Sequence, residues 1–358
     1  MLTRMIGQML IMVATLLPLS LSAASGSYAV ILQYHHVSNT SPTITSVEPA
    51  LFSQHLDYLE QNKCHVIALT EVTDALRNNR PLPEKTVVIT FDDAYKDIYT
   101  EAFPLLRKKG WPFTLFVSTA PVDKRYGNFL TWEQIETMVR HKATIANHTL
   151  NHDHLVEKKA NESKEQWLRR VEMDILATEA RIKEKTGQAV RHFAWPFGET
   201  VPELKALIAQ LGFIGLGQHS GAACSLSDFS DLPRFPMAAS HASMDNFRLK
   251  VNSLPLPVWQ KAPVSSLISP DNLRPALTLH LNDGHYQKAQ LRCYAPGQGE
   301  IPVQWLNNER TQFTVQAKHP LPVGRSRYNC TAPSISGRQY FWYSHPWLRL
   351  TEDGRALD

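Results

Sequence analysis

No Lys/Arg-rich run, internal repeat or low-complexity tract occurs in the 358 residues, and the formal net charge is only +4. A chain without a concentrated basic patch offers nucleic acid no electrostatic footprint. After residue 25 no apolar run is long enough to cross a bilayer, so no stable span is expected once the N-terminus is processed. Cysteine is scarce, at four residues. Cys293 and Cys330 lie in strand-like segments of the C-terminal third and are suited to clasp a small β domain in an oxidising compartment, with Cys64 and Cys224 as free, buried thiols. Spacing alone does not fix the pairing.

What is present is ordinary for a globular protein, with 43% hydrophobic and 20% charged residues. The length suits two domains better than one core. Residues 1–24 read as a signal peptide: Arg4 gives a positive start, Ile6 to Leu21 is mostly apolar, and Ser22, Ala23, Ala24 and Ser25 are small. A buried helix or an uncleaved anchor is the alternative. The expected location is a periplasm or the cell exterior.

Residues 25–250 alternate short uncharged, β-branched runs such as Thr86 to Phe91 with helical patterns such as Leu51 to Gln61 and Tyr95 to Lys109. Thr131 with Gln134 has the spacing of a capping box, and Gly110 and Gly187 fall where helices should end. Repeated β-α units predict a parallel sheet covered by helices. Residues 251–275, rich in proline around Leu254-Pro255-Leu256-Pro257, read as a linker. Residues 276–350 alternate apolar and polar side chains in short runs, the pattern of a small all-β sandwich-like accessory domain.

Ionisable residues gather just after the strand-like runs: His35-His36, Asp92-Asp93, His148 and His219. Strand C-terminal ends are where α/β barrels and open α/β sheets keep their chemistry. Adjacent acids repel unless a cation or an arginine stands near. The bland reading of Asp92-Asp93 is a pair of capping acids at a helix N-terminus. His148 and His152, four residues apart, can offer two nitrogens to one ion, with Asp93 as an oxygen ligand and a position left for water. A histidine-rich surface loop is the competing reading. Zinc suits this mixture best, and cobalt, nickel or iron also fit one such divalent site.

Thr90-Phe91-Asp92-Asp93, then His148-Thr149 with Asn151-His152, then Phe193-Ala194-Trp195-Pro196-Phe197-Gly198, resemble the ordered motifs of the polysaccharide deacetylase family (NodB homology, carbohydrate esterase family 4). The resemblance covers roughly residues 28–240. It implies a distorted (β/α)7 barrel and a metal-dependent hydrolase removing N-acetyl groups from an N-acetylglucosamine-containing glycan. On that resemblance Asp93, His148 and His152 hold the metal, and Asp92 is the general base toward a metal-bound water. The backbone N–H of Phe197 meets the oxyanion, and Thr149 orders the histidine loop.

Two departures stand out. The family's third motif often carries an arginine that pairs with the base, and Ala194 occupies that place here. Arg191 and Arg234 are the available substitutes, Arg234 being preferred over Arg191 against the alternative of a structural ion pair. The late Leu-x-His motif, source of the acid that protonates the leaving amine, has no clean match. His219 and His241 are candidates, and a histidine bonded to its own loop is the alternative. His35 is read as a substrate contact. Trp111, Trp132 and Trp195 either stack on sugar or pack in the barrel, and the C-terminal aromatics Trp305, Tyr340 to Tyr343 and Trp347 either bind glycan or form core. The departures keep two other functions open: a glycan-binding protein with a degenerate barrel, and an O-acetyl esterase.

Overall fold

The computed structural model describes residues 27–357, so the signal peptide expected at residues 1–24 lies outside the described residues. Strands Tyr28–Tyr34, Thr86–Phe91, Phe113–Val117, Ala143–Asn147, His192–Ala194 and Ile214–Leu216 pair side by side, each parallel to the next. The segment from Leu232 to Pro236 then touches both edges. Leu232 bridges Leu216, and Phe235–Pro236 pairs in parallel with Leu32 and Gln33 of the first strand. Seven strand positions therefore curl into a distorted barrel closed by its last and shortest piece.

Alternation along the strands explains how the barrel packs. Val30, Leu32, Val87, Ile89 and Leu115 meet helix residues Phe52, Leu56 and Ile135 in one cluster. Ile31, Val88, Phe116, Ala146, Ala194 and Leu216 form another with Leu69, Val72 and Leu76 of the helix Leu69–Arg77. Each strand is apolar on both faces because both are covered. The long helix Lys164–Thr186 starts on a capping box, Ser163 with Gln166, and stops at Gly187 in the left-handed conformation (φ 73°). Thr131 and Gln134 form the second capping box.

The helix expected over Tyr95 to Lys109 is shorter. Tyr95 bridges Phe129 and Lys96 N–H donates to Asn128 O, so the chain is engaged in a loop until a π-turn at Ile98–Ala102 leads into Phe103–Lys109. Asp93 and Ala94 just before it have φ of 70° and 64°, which no right-handed helix admits.

The C-terminal part stacks two sheets. One orders Leu254–Pro255, Tyr340–Arg349, Gly324–Pro333, Arg292–Ala295 and Gly299–Ile301; the other orders Val258–Ala262, Ala276–Leu281, Gln312–Gln316 and Val303–Trp305. The Pro-rich linker expected at residues 251–275 is corrected in this respect: Leu254–Pro255 and Val258–Ala262 are edge strands, one in each sheet. Proline at an edge lacks only a donor the ladder does not use there. Cys293 and Cys330 are register partners on neighbouring strands and form a disulfide, while Cys64 and Cys224 are free. Tyr328 and Trp347 sit in the sandwich core and Trp342 packs edge-on against Phe235 of the barrel, 5.4 Å between centroids. Among the described residues no helix is long and apolar enough to cross a membrane.

Candidate metal centre

Asp92 and Asp93 follow the Thr86–Phe91 strand directly, and they do face differently. Asp92 is fully buried. Its Oδ1 accepts from Arg234 Nη1 at 2.7 Å, and its Oδ2 accepts from Arg234 Nη2 at 2.8 Å and Gln33 Nε2 at 2.7 Å. The guanidinium is itself held, by Nε to Gly217 O at 2.8 Å and by its face against Phe116. Burial alone would raise the Asp92 pKa, but Arg234 together with the nearby His148 and His35 outweighs it, and the carboxyl is held below its ordinary value. Oδ1 takes only one bond and keeps a lone pair for another partner. His35 Nε2 lies 3.9 Å from Asp92 Oδ2. Its neighbour His36 turns away to Asp97, 2.5 Å from Nδ1, and stacks on Tyr95.

Asp93 points to the histidines. Its Oδ1 is 3.2 Å from His148 Nε2 and 3.4 Å from His152 Nε2, and one ligand atom from each residue falls within 4.8 Å of the others. The loop that presents them is tied at several points. Thr149 N–H donates to Asn147 Oδ1, His152 N–H donates to Thr149 Oγ1 at 3.0 Å, and Leu150 N–H donates to Asp174. Thr149 and His152 both have positive φ, a local cost that persists only where the surroundings over-determine it. His148 Nδ1 lies 2.8 Å from Ala194 O, so that nitrogen carries the proton and Nε2 presents a lone pair toward Asp93.

The donor set fits a cation. Asp93 Oδ1 and His148 Nε2 are both buried without a hydrogen-bond partner although they face one another. Two orphaned lone pairs in one buried space are costly unless something positive lies between them. Burial opposes ionisation of Asp93, yet the surrounding histidines, His148 foremost, hold its carboxyl far below the carboxylate range. Burial and the neighbouring His148 push His152 down to about 4, which leaves it neutral with a free lone pair near pH 7. Among the described residues Asp93 has no lysine or arginine partner, whereas Asp92 has Arg234. One acid is thus neutralised by the protein and its neighbour is not.

The remaining sequence candidates are spread around this centre. Phe197 has a left-handed backbone (φ 58°), and its ring packs on His152 at 4.4 Å and stacks on His154 at 3.9 Å. His219 is not brought to the acids. It turns to Asp231, 3.6 Å away, and burial pushes it down to about 4. Arg191 lies over the Phe213 ring and His241 sits on an exposed turn. Trp195 is fully buried with its indole N–H on Ser230 O, and Trp132 donates to Asp123, so neither offers a face to sugar.

Two features escaped sequence reading. Gln33 is an amide in an otherwise apolar buried strand, and that oddity was the available signal. The second is a relay to the sandwich: His154 Nδ1 lies 2.8 Å from Glu199 Oε2, and Arg325 donates to Glu199 Oε1 at 2.9 Å while covering the Phe197 ring. Nothing local in the sequence joins residues 154, 199 and 325.

Residues 79–215 match the family model described as polysaccharide deacetylase. The chain is 26% identical over 274 residues to the poly-beta-1,6-N-acetyl-D-glucosamine N-deacetylase of Escherichia coli (strain K12), covering 65% of this chain and 39% of that protein. It thus spans about two fifths of the length of the curated relatives it matches first. Among solved structures, IcaB from Ammonifex degensii is similar at 28% identity and a TM-score of 0.54, over 62% of this chain and 95% of that one. The Streptococcus pyogenes deacetylase PplD, in complex with acetate, shares the fold at 24% identity and a TM-score of 0.57, over 63% of this chain and 99% of that one.

Proposed function

We propose, for a chain whose residues 79–215 match the polysaccharide deacetylase family model, that it is a member of that family and hydrolyses N-acetyl groups of an N-acetylglucosamine-containing polysaccharide outside the cytoplasm. The observation that carries the reading is the contrast within Asp92-Asp93: one carboxylate clamped by Arg234, the other facing two histidines with lone pairs unspent. Asp93, His148 and His152 would hold a divalent cation, zinc by the chemistry of the donors. When bound, such a cation supplies Lewis-acid polarisation of the acetyl carbonyl and acidifies a water.

The chain's own groups do the rest. Asp92, kept ionised by Arg234, takes a proton from the attacking water through the free lone pair on Oδ1. The Phe197 N–H is the donor assigned to the developing oxyanion. His35 is the histidine that faces Asp92 across 3.9 Å, and it hands a proton to the departing amine, whereas His219 is turned to Asp231. The disulfide Cys293–Cys330 supports an oxidising location.

The test is acetate release from β-1,6-linked N-acetylglucosamine oligomers and from an acetyl ester, with and without chelator. Chelator-sensitive release from the oligomer, lost in Asp92→Asn and in His148→Ala, is the expected result. Release from the ester alone would make the protein an O-acetyl esterase. Oligomer binding without any release would make it a glycan-binding protein.

A further inference from the structure

A cavity of about 190 Å³ lies between the barrel and the sandwich, away from the metal centre. Its barrel wall includes His219, Asp228 and Asp231, and its sandwich wall includes Trp259, Lys261 and Trp342. The volume is below the roughly 300–1,000 Å³ of sites for drug-sized ligands, so it admits something nearer one sugar unit.

The interior holds polar groups that the protein leaves unmatched. Asp231 is 3% exposed; its Oδ2 is taken by Lys205 at 2.7 Å, but its Oδ1 has no hydrogen-bond partner. The Lys261 ammonium makes no hydrogen bond or ion pair among the described residues, and burial lowers its pKa. The ammonium of Lys261 on the cavity wall is a donor that a hydroxyl or carbonyl oxygen of a ligand can engage. Two carboxylates, Asp228 and Asp231, are balanced by Lys205 and Lys261, so neither a free anion nor a free cation is favoured. At the rim Trp259 is 53% exposed on the edge strand Val258–Ala262, which leaves a large ring face open to stacking.

This cavity also connects to the candidate centre. A second one, about 70 Å³, shares His219 with it and extends to Phe197, whose ring packs on the metal-loop residue His152. The seam between barrel and sandwich thus runs from the centre, past Phe197 and His219, to Trp259.

We propose that this seam cavity is a second glycan subsite, in which Trp259 stacks on one neutral hexosamine unit while the Lys261 ammonium donates to its hydroxyl or acetamide oxygens. The proposal deepens the deacetylase reading and rests on it for the identity of the sugar: one polymer would occupy the centre and the subsite together.

Calorimetric binding of a β-1,6-linked N-acetylglucosamine hexamer to the zinc-loaded Asp92→Asn protein tests it without turnover. In that background Trp259→Ala and Lys261→Met are expected to weaken the hexamer about 10-fold each. Leu226→Arg, which crowds the cavity at an exposed lining residue, should weaken it as well. Tyr294→Ala, an exposed aromatic elsewhere on the sandwich, should bind unchanged, with melting curves confirming that each variant is folded. Hexamer affinity that is undiminished in folded Trp259→Ala and Leu226→Arg, or absent from the start, overturns the subsite. Trp259-dependent binding without acetate release by the native enzyme overturns the deacetylase reading and leaves the subsite standing.

Discussion

Arg234 is the residue on which the acid pair turns. Both of its terminal nitrogens are spent on Asp92, and neither group sees solvent. Removing one partner of such a buried pair leaves the other charge uncompensated, at about 3–5 kcal/mol. Arg234→Leu should therefore lower stability by that order at pH 7, less at low pH where Asp92 takes up a proton. It should also lower kcat about 100-fold or more, because a protonated Asp92 cannot act as base. Arg234→Lys keeps the charge but loses the two-pronged geometry and should fall between the two. Urea denaturation and kcat, measured on all three proteins at pH 7 and pH 5, check this. Native-like turnover in Arg234→Leu would remove the arginine from the mechanism. The pairing spans 142 residues of sequence, which is why the sequence could prefer Arg234 to Arg191 but not show the two-pronged contact.

At the scale of elements, the helix Pro49–Gln61 is fastened to the helix Met244–Val251 by a ring stack. His55 lies flat on Phe247 at 4.0 Å, with its ring nitrogens 3.0 Å from the Tyr34 hydroxyl and 2.7 Å from Ala242 O. Burial, reinforced by the charge of Lys250, pushes His55 down to about 4. Above pH 6.5 the ring is neutral folded and unfolded, and it costs nothing. As pH falls through 6.5 the unfolded chain takes a proton that the folded chain refuses until about 4, so stability is lost across that window, by up to about 1.4 kcal/mol per unit for each such group. His192 and His219 are also pushed down to about 4 and act in the same direction. His55→Gln should be less stable at pH 7.5 but lose less stability on going to pH 5 than the native protein. Equal losses in the two would show that His55 does not contribute to the acid sensitivity.

Elements also show where sequence reading stopped. Helix ends were legible at Thr131, Gly110 and Gly187 because caps are local chemistry. So were the strand-end acids and the histidine loop, each contained in a few consecutive residues. The late start of the helix after Asp93 was not, since it depends on Phe129 and Asn128 from a distant loop. Nor were the two edge strands Leu254–Pro255 and Val258–Ala262, whose partners lie about 85 and 20 residues further on.

For the whole molecule, the disulfide and the relay through Glu199 decide how the two parts share stability. Cys293 and Cys330 are 37 residues apart, and closing a loop of that size stabilises by about 4 kcal/mol in the chain-entropy estimate. The double Cys→Ala variant should therefore unfold its sandwich earlier. Arg325 leaves that sandwich to reach Glu199, which holds His154 beside Phe197, so acetate release should decline together with the sandwich and not only at the melting of the barrel. Activity and near-ultraviolet circular dichroism followed through one thermal ramp would show this; full activity after the sandwich has melted would make the contact dispensable.

The barrel is completed by its last strand position, and that piece brings Arg234 with it. In a chain made from its N-terminus, Asp92 emerges 142 residues ahead of its counter-ion, a delay of roughly ten seconds or more at 5–20 residues per second. Once His152 has been made every candidate metal ligand is present, but the base still has no guanidinium to keep it charged in a closed wall. On the proposed deacetylase reading, competence is thus timed by closure, and a nascent or still-unfolded chain would stay inert toward acetylated sugars it meets before its fold is finished.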